Sequence, residues 1–174
     1  MKSRNELGTL LNELGLFGNA VEIGVDQGCY AGEILRRWKG RLYFMVDPWQ
    51  RYPEYNDLFE RDQPIMDAIY KNVVEGCRKD PRIVILRGFS VPVGKLFHDG
   101  YFDFAYIDAD HTYKSANEDI NTWWSKIKSG GILAGHDYKE GMGVIQAVDE
   151  FVKENNLTLN LTEEDYASWW IIKP

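Results

Sequence analysis

The chain has 174 residues, enough for one domain spanning 1–174, and its 44% hydrophobic and 27% charged residues are those of an ordinary globular protein. With 20 Lys and Arg against 27 Asp and Glu, the net charge is −7 and the pI is near 5.0. That balance disfavours nucleic-acid and membrane-surface partners, both of which draw on a basic face. No stretch free of Asp, Glu, Lys and Arg exceeds eight residues, against roughly 20 apolar positions for a membrane helix. The N-terminal stretch lacks a signal-peptide core. Cys29 and Cys77 form neither a disulfide framework nor a CxxC pair. These features predict a reduced, cytoplasmic protein.

In chain order, residues 3–16 place Leu7, Leu10, Leu11 and Leu14 at helical spacing, with Gly15 and Gly18 ending the helix. Ala20–Ile23 reads as a short buried strand closing on Gly24, and residues 29–38 as a helix. Leu42–Val46 is a second strand ending at Asp47-Pro48. The polar and aromatic segment 48–63 has no period, and a helix is expected over 64–77. Arg82–Leu86 is a third strand and 90–97 a short helix. Phe102–Ile107 is a fourth strand and 113–128 a helix. Ser129-Gly130-Gly131 reads as a turn into a strand at Ile132–Ala134, followed by a helix over 142–155 and strands near 157–161 and 168–172.

Such alternation predicts a doubly wound α/β fold with a seven-stranded, mostly parallel sheet and helices on both faces. Ligands of these sheets bind beyond the carboxyl ends of the strands. Here those ends carry Gly24, Asp47, Gly88, Asp108 and His136-Asp137. The loop Glu22-Ile23-Gly24-Val25-Asp26-Gln27-Gly28 follows a strand and opens a helix, and its glycines let a ligand approach the backbone. It lacks the third glycine of a dinucleotide fingerprint, and Glu22 is a poor neighbour for a pyrophosphate but a good one for a cation. Asp47 ends the second strand where a nucleotide fold places an acid for ribose hydroxyls.

These features together resemble class I S-adenosylmethionine-dependent methyltransferases, in the small-molecule O-methyltransferase branch that includes catechol and macrolide-sugar enzymes. The likeness rests on E-x-G-x-x-x-G at Glu22–Gly28, Asp47, FDFAYIDADHTY at 102–113 and SGGILAGHDY at 129–138. It covers about 19–172 and implies that the last two strands form a C-terminal antiparallel hairpin.

The resemblance implies that Glu22, Gly24 and Gly28 face the methionine part of S-adenosylmethionine and that Asp47 holds its ribose. Trp49 would flank the adenine, Gly88 and Ser90 would lie beside it, and Asp108 would sit beneath the sulfonium and the acceptor. It further implies His111 as catalytic base and Asp108, His136 and Asp137 as ligands of a divalent metal such as Mg²⁺. The family usually has an acid where this chain has His136, and imidazole shifts preference towards softer ions. The bland alternative for His111 is an orienting role without metal.

The expected reaction is methyl transfer to a hydroxyl of a small-molecule acceptor such as a sugar, a glycan unit or another natural product. Trp49, Tyr52, Tyr55 and Phe59 suit stacking on a ring or packing under a loop. Tyr113 and Tyr138 are candidates for the acceptor pocket, and His98 for the surface. Trp123 and Trp124 belong to the core or to a dimer contact. A homodimer partner would complete a pocket for which the chain has little spare length. Two alternatives remain: a non-catalytic cofactor-binding partner protein, and an NAD(P)-dependent oxidoreductase. The latter is opposed by the missing glycine, by Glu22 and by the lack of a Tyr-x-x-x-Lys pair.

Overall fold

A computed structural model describes residues 1–50 and 61–174. After a 3₁₀ turn at Arg4–Glu6, the elements are α1 (Leu7–Glu13), β1 (Asn19–Ile23), α2 (Cys29–Arg37), β2 (Leu42–Asp47) and α3 (Gln63–Cys77). There follow β3 (Ile83–Arg87), α4 (Ser90–Gly94), β4 (Phe102–Ile107) and α5 (Tyr113–Lys126). The chain closes with β5 (Ile127–Tyr138), α6 (Gly143–Glu154), β6 (Asn160–Leu161) and β7 (Ala167–Ile172).

The seven strands form one sheet in the order β3-β2-β1-β4-β5-β7-β6. Strands β1 to β5 pair in parallel, and β7 runs antiparallel to both β5 and β6. The predicted doubly wound sheet with a terminal antiparallel hairpin is therefore present. Strand order reverses between β1 and β4, and a crevice at such a reversal is where open α/β sheets bind ligands.

Burial on both faces explains why the strands read as apolar runs rather than as alternation. Val21, Ile23, Val46, Ala105 and Leu133 pack on one face against Ile120 and Trp123 of α5 and Val148 and Phe151 of α6. Ala20, Tyr43, Met45, Phe104 and Ile132 pack on the other against Leu7, Leu11, Ile34 and Trp38 of α1 and α2. Trp123 thus belongs to the core. Trp124 packs against Phe151 at 5.2 Å. No helix among the described residues is long and apolar enough to cross a membrane.

Several boundaries differ from expectation: α4 stops at Gly94 and β6 spans Asn160–Leu161, and larger differences fall at the first helix and at both ends of β5. The first helix is seven residues long and is preceded by the 3₁₀ turn, whose Ser3 hydroxyl accepts from the Asn5 N–H as a cap. Strand β5 starts at Ile127 and runs through the glycines expected to turn. Gly130 N donates to Lys173 O and Lys173 N to Gly131 O, so the end of the chain pins this stretch, which bulges at Gly130 (φ 77°) where the register with β4 shifts between Phe102 and Phe104. Beyond its expected end, β5 continues to Tyr138 through a register shift between Gly135 and Tyr138. Within that shift Asp137 adopts φ 55°, a conformation uncommon for a residue with a side chain.

Candidate active site

The β1–α2 loop is organised around Asp47. Its Oδ2 accepts from the N–H groups of Val25 and Asp26, both at 2.9 Å, and Oδ1 accepts from Trp49 N at 2.7 Å. Burial raises the Asp47 pKa against these three bonds. A carboxylate has about four lone-pair sites, so this acid shapes the loop and retains capacity for one further donor. Gly24, with φ 84°, lies so close to β4 that an added Cβ would stand 2.0 Å from the Asp108 carbonyl oxygen. Gly28, with φ 76°, caps the start of α2 in a left-handed conformation that glycine adopts without strain.

Glu22 departs from its expected part. It is 1% exposed, and Tyr43 Oη donates to its Oε2 at 3.0 Å. Burial, opposed by that bond, pushes its pKa up to about 8. That shift weakens the carboxylate Glu22 was expected to offer a ligand.

Across the crevice, Asp108, His111, His136 and Asp137 converge. His111 Nε2 lies 2.8 Å from Asp137 Oδ2. His136 Nδ1 lies 3.3 Å from Asp137 Oδ1 and 3.8 Å from Asp108 Oδ1. Burial works to raise the Asp137 pKa, but its bonds to the two histidines prevail and hold it well below the carboxylate range. Burial raises that of Asp108 despite His136 and Arg4. One ligand atom from each of Asp108, His111 and Asp137 lies within 4.8 Å of the others. That set fits a divalent cation, with His136 beside it. A recess next to the cluster is walled by Ile120, Val144 and Trp169. The Trp169 indole N–H is buried without a hydrogen-bond partner among the described residues.

Sequence reasoning missed Arg4. Its Nη1 bonds Asp108 Oδ2 at 2.9 Å and Tyr106 Oη at 3.4 Å, which brings a guanidinium to the end of β4. No spacing signal marks it, because it lies outside the strand–loop motifs.

Other candidates turn elsewhere. Trp49 has no exposed surface; its indole N–H donates to Asp26 O at 2.9 Å and its ring lies 5.0 Å from Tyr70. It braces the loop and offers no face to an adenine. Gly88 N donates to Asp47 O, tying β3 to β2. The Ser90 hydroxyl points inward, donating to buried Asp119 and accepting from Trp123 Nε1 at 2.8 Å. Only its backbone, at the first position of α4, is left to face a ligand. Tyr113 and Tyr138 both donate to α6, to Glu150 at 2.6 Å and Asp149 at 2.7 Å. His98 is exposed as expected. Tyr52, Tyr55 and Phe59 lie outside the described residues.

A glycine loop at the strand reversal, flanked by Asp47 and Asp108, is the arrangement by which doubly wound α/β proteins bind small ligands. The sequence profile of a methyltransferase-domain family matches residues 21–138, more than half of the chain, and the chain belongs to that family. It is an S-adenosylmethionine-dependent methyltransferase of class I architecture. No curated protein matches it in sequence.

Among solved structures it is similar to a Staphylococcus aureus protein assigned as a caffeoyl-CoA O-methyltransferase. The two are 14% identical with a TM-score of 0.71, over 100% of this chain and 85% of that one. It is also similar to the O-methyltransferase NovP, at 17% identity and a TM-score of 0.69 over 98% and 78% of the two chains. Fibrillarin from Aeropyrum pernix, solved with S-adenosylmethionine bound, is 11% identical with a TM-score of 0.60 over 88% and 66%. The donor set here fits the cofactor: its sulfonium and ammonium outnumber its one carboxylate, and Asp47, Asp108 and Asp137 stand beside one guanidinium, that of Arg4.

Proposed function

We propose that this methyltransferase acts on oxygen, methylating a hydroxyl of a small molecule such as a sugar, a glycan unit or another natural product. The observation that carries the proposal is the His111–Asp137 pair, 2.8 Å apart, beside Asp108 at the reversal of strand order. A neutral hydroxyl is a weak nucleophile, and a base that takes its proton as the new bond forms removes that deficit. His111 is placed to be that base. The Asp137 carboxylate, held ionised, fixes the imidazole and stabilises the charge it gains. S-Adenosylmethionine supplies an electrophilic methyl carbon on its sulfonium. Asp47 and the Gly24–Gly28 loop would hold its nucleoside and methionine parts, and Asp108 its cationic end.

A divalent metal fits the same cluster, through Asp108 and Asp137 with a histidine. When bound it would supply Lewis acidity towards the acceptor hydroxyl. With His136 as the third ligand, His111 remains the base; with His111 as ligand, it does not.

The test is transfer of a labelled methyl group to a panel of sugars, catechols and amines, with added Mg²⁺, with added Mn²⁺ and with chelator. Label on hydroxyls, falling roughly 10²- to 10⁴-fold in His111→Ala, is the expected result. Label only on nitrogen refutes the oxygen reading. Cofactor binding without transfer to any acceptor favours a cofactor-binding partner protein.

A further inference from the structure

The zwitterionic end of the cofactor poses a problem for an acid-lined crevice. Asp47, Asp108 and Asp137 attract its cationic groups and repel its carboxylate, so that carboxylate needs a cation of its own. Near the ends of β1 and β4 the guanidinium of Arg4 meets this need. Arg61 and Arg87, nearer the β2 and β3 ends, are paired with Asp26 and Asp67. Arg4 lies before residues 21–138, outside the part matched to the family.

Its placement is over-determined. The Arg4 N–H donates to Glu164 Oε2 at 2.8 Å, and the Ser3 hydroxyl donates to Glu164 Oε1 at 2.9 Å. Tyr30 Oη donates to the Arg4 carbonyl at 3.3 Å, and the guanidinium carbon lies 4.9 Å from the centre of the Tyr30 ring. Both hydrogen bonds of the guanidinium leave from Nη1, to Asp108 and Tyr106. A guanidinium has five N–H donors, and Nε and Nη2 have no hydrogen-bond partner among the described residues. With 28% of its side chain exposed, Arg4 is within a ligand's reach.

An α-amino acid carries its ammonium and carboxylate on one carbon. The Asp108–Arg4 pair, 2.9 Å apart, offers the opposite charges at a comparable spacing. We infer that Arg4 binds the carboxylate of the cofactor's methionine moiety while Asp108 faces the ammonium. The N-terminal turn is then part of the cofactor site. The inference rests on the crevice proposed above as that site and is independent of the acceptor. A guanidinium fixed in advance loses little freedom on binding, which converts more of its hydrogen bonding into affinity.

Calorimetry separates this reading from its alternatives with two probes, S-adenosylhomocysteine and its decarboxylated counterpart, adenosyl thiopropylamine. The unmodified protein is expected to prefer S-adenosylhomocysteine by about 10- to 100-fold, the range of a charge-assisted hydrogen bond. Arg4→Gln should lose that preference and favour the amine, because the remaining acids attract the more cationic ligand. A thermal melt reports whether the variant is folded. Equal binding of both probes by the unmodified protein overturns the role of Arg4 whatever the variant does. Equal weakening of both probes in folded Arg4→Gln also overturns it, since Arg4 would then only support the pocket. Failure of the unmodified protein to bind S-adenosylhomocysteine overturns the cofactor site itself.

Discussion

A carboxyl group buried as fully as that of Glu22 keeps its proton far past the pH at which a solvated glutamate loses it. The ordinary value of 4.5 applies in the unfolded chain and about 8 in the folded one. Stability from this difference is fully present below about pH 4.5 and is lost as pH rises towards 8. Across that window the folded state holds a proton the unfolded state has released, at a cost of up to about 1.4 kcal/mol per pH unit. Glu22→Gln should flatten the slope. Urea melts at pH 5 and pH 8 would show it, and equal slopes in both proteins would mean that Glu22 ionises in place. Asp47 carries a second prediction at this scale. Asn at this position would set an amide N–H against a backbone N–H and leave a buried donor unpaired, at roughly 1–3 kcal/mol. Asp47→Asn should therefore lower the melting temperature as well as cofactor affinity. A loss of affinity alone would confine Asp47 to ligand binding.

Helices α5 and α6 meet where the base is held. Gly143, the first residue of α6, donates its N–H to His111 O at 3.0 Å. A Cβ there would stand 2.1 Å from Tyr113 N, which is backbone and cannot swing away. Gly143→Ala must push the start of α6 off the 108–112 loop, and overpacking of this kind costs about 1–3 kcal/mol. The expected outcome is a folded but less stable enzyme whose turnover falls more than its cofactor affinity. Unchanged turnover would mean that the loop keeps His111 in place without α6. Further along α5, the buried group of Ser90, Asp119 and Trp123 joins α4 to α5. Burial, partly offset by the Ser90 bond, lifts the Asp119 pKa to about 7.

On the scale of the whole molecule, the N-terminal turn meets the β6–β7 connection beside Asp108. The N-terminal turn bonds Glu164 in the β6–β7 connection, and Glu163 N donates to Met1 O at 3.1 Å. Lys173, past β7, anchors the glycines of β5, whose far end supplies His136 and Asp137. Removing the Glu164 carboxylate should loosen residues 1–6 and, with them, Arg4. For Glu164→Ala we expect faster amide exchange in the N-terminal turn, a stability loss of about 1 kcal/mol, and a cofactor affinity between those of the unmodified protein and Arg4→Gln. Unaltered exchange in the turn would show that Tyr30 and buried Leu7 hold it without the hairpin.

Local chemistry along the chain was enough to reveal the alternation of elements, the parallel sheet and the edge that bears Gly24, Asp47, Gly88, Asp108 and His136-Asp137, while the antiparallel sense of the terminal hairpin came from the family resemblance. Short apolar runs ending at Gly, Asp or His are a local signal, and a parallel sheet turns every strand end to one side. What tertiary structure alone decided is which way each side chain faces and what it meets. Trp49 and Ser90 have residue types suited to a nucleoside, yet backbone geometry turns Trp49 into the core and the Ser90 hydroxyl towards Asp119. Glu22 looks like a charged ligand in the sequence and is a buried acid in the fold, because protonation depends on solvent access and on Tyr43, 21 positions away. Arg4 was invisible for the same reason. Its partner Asp108 is 104 residues distant, and only the packing of α1 and the hairpin brings the two within 2.9 Å.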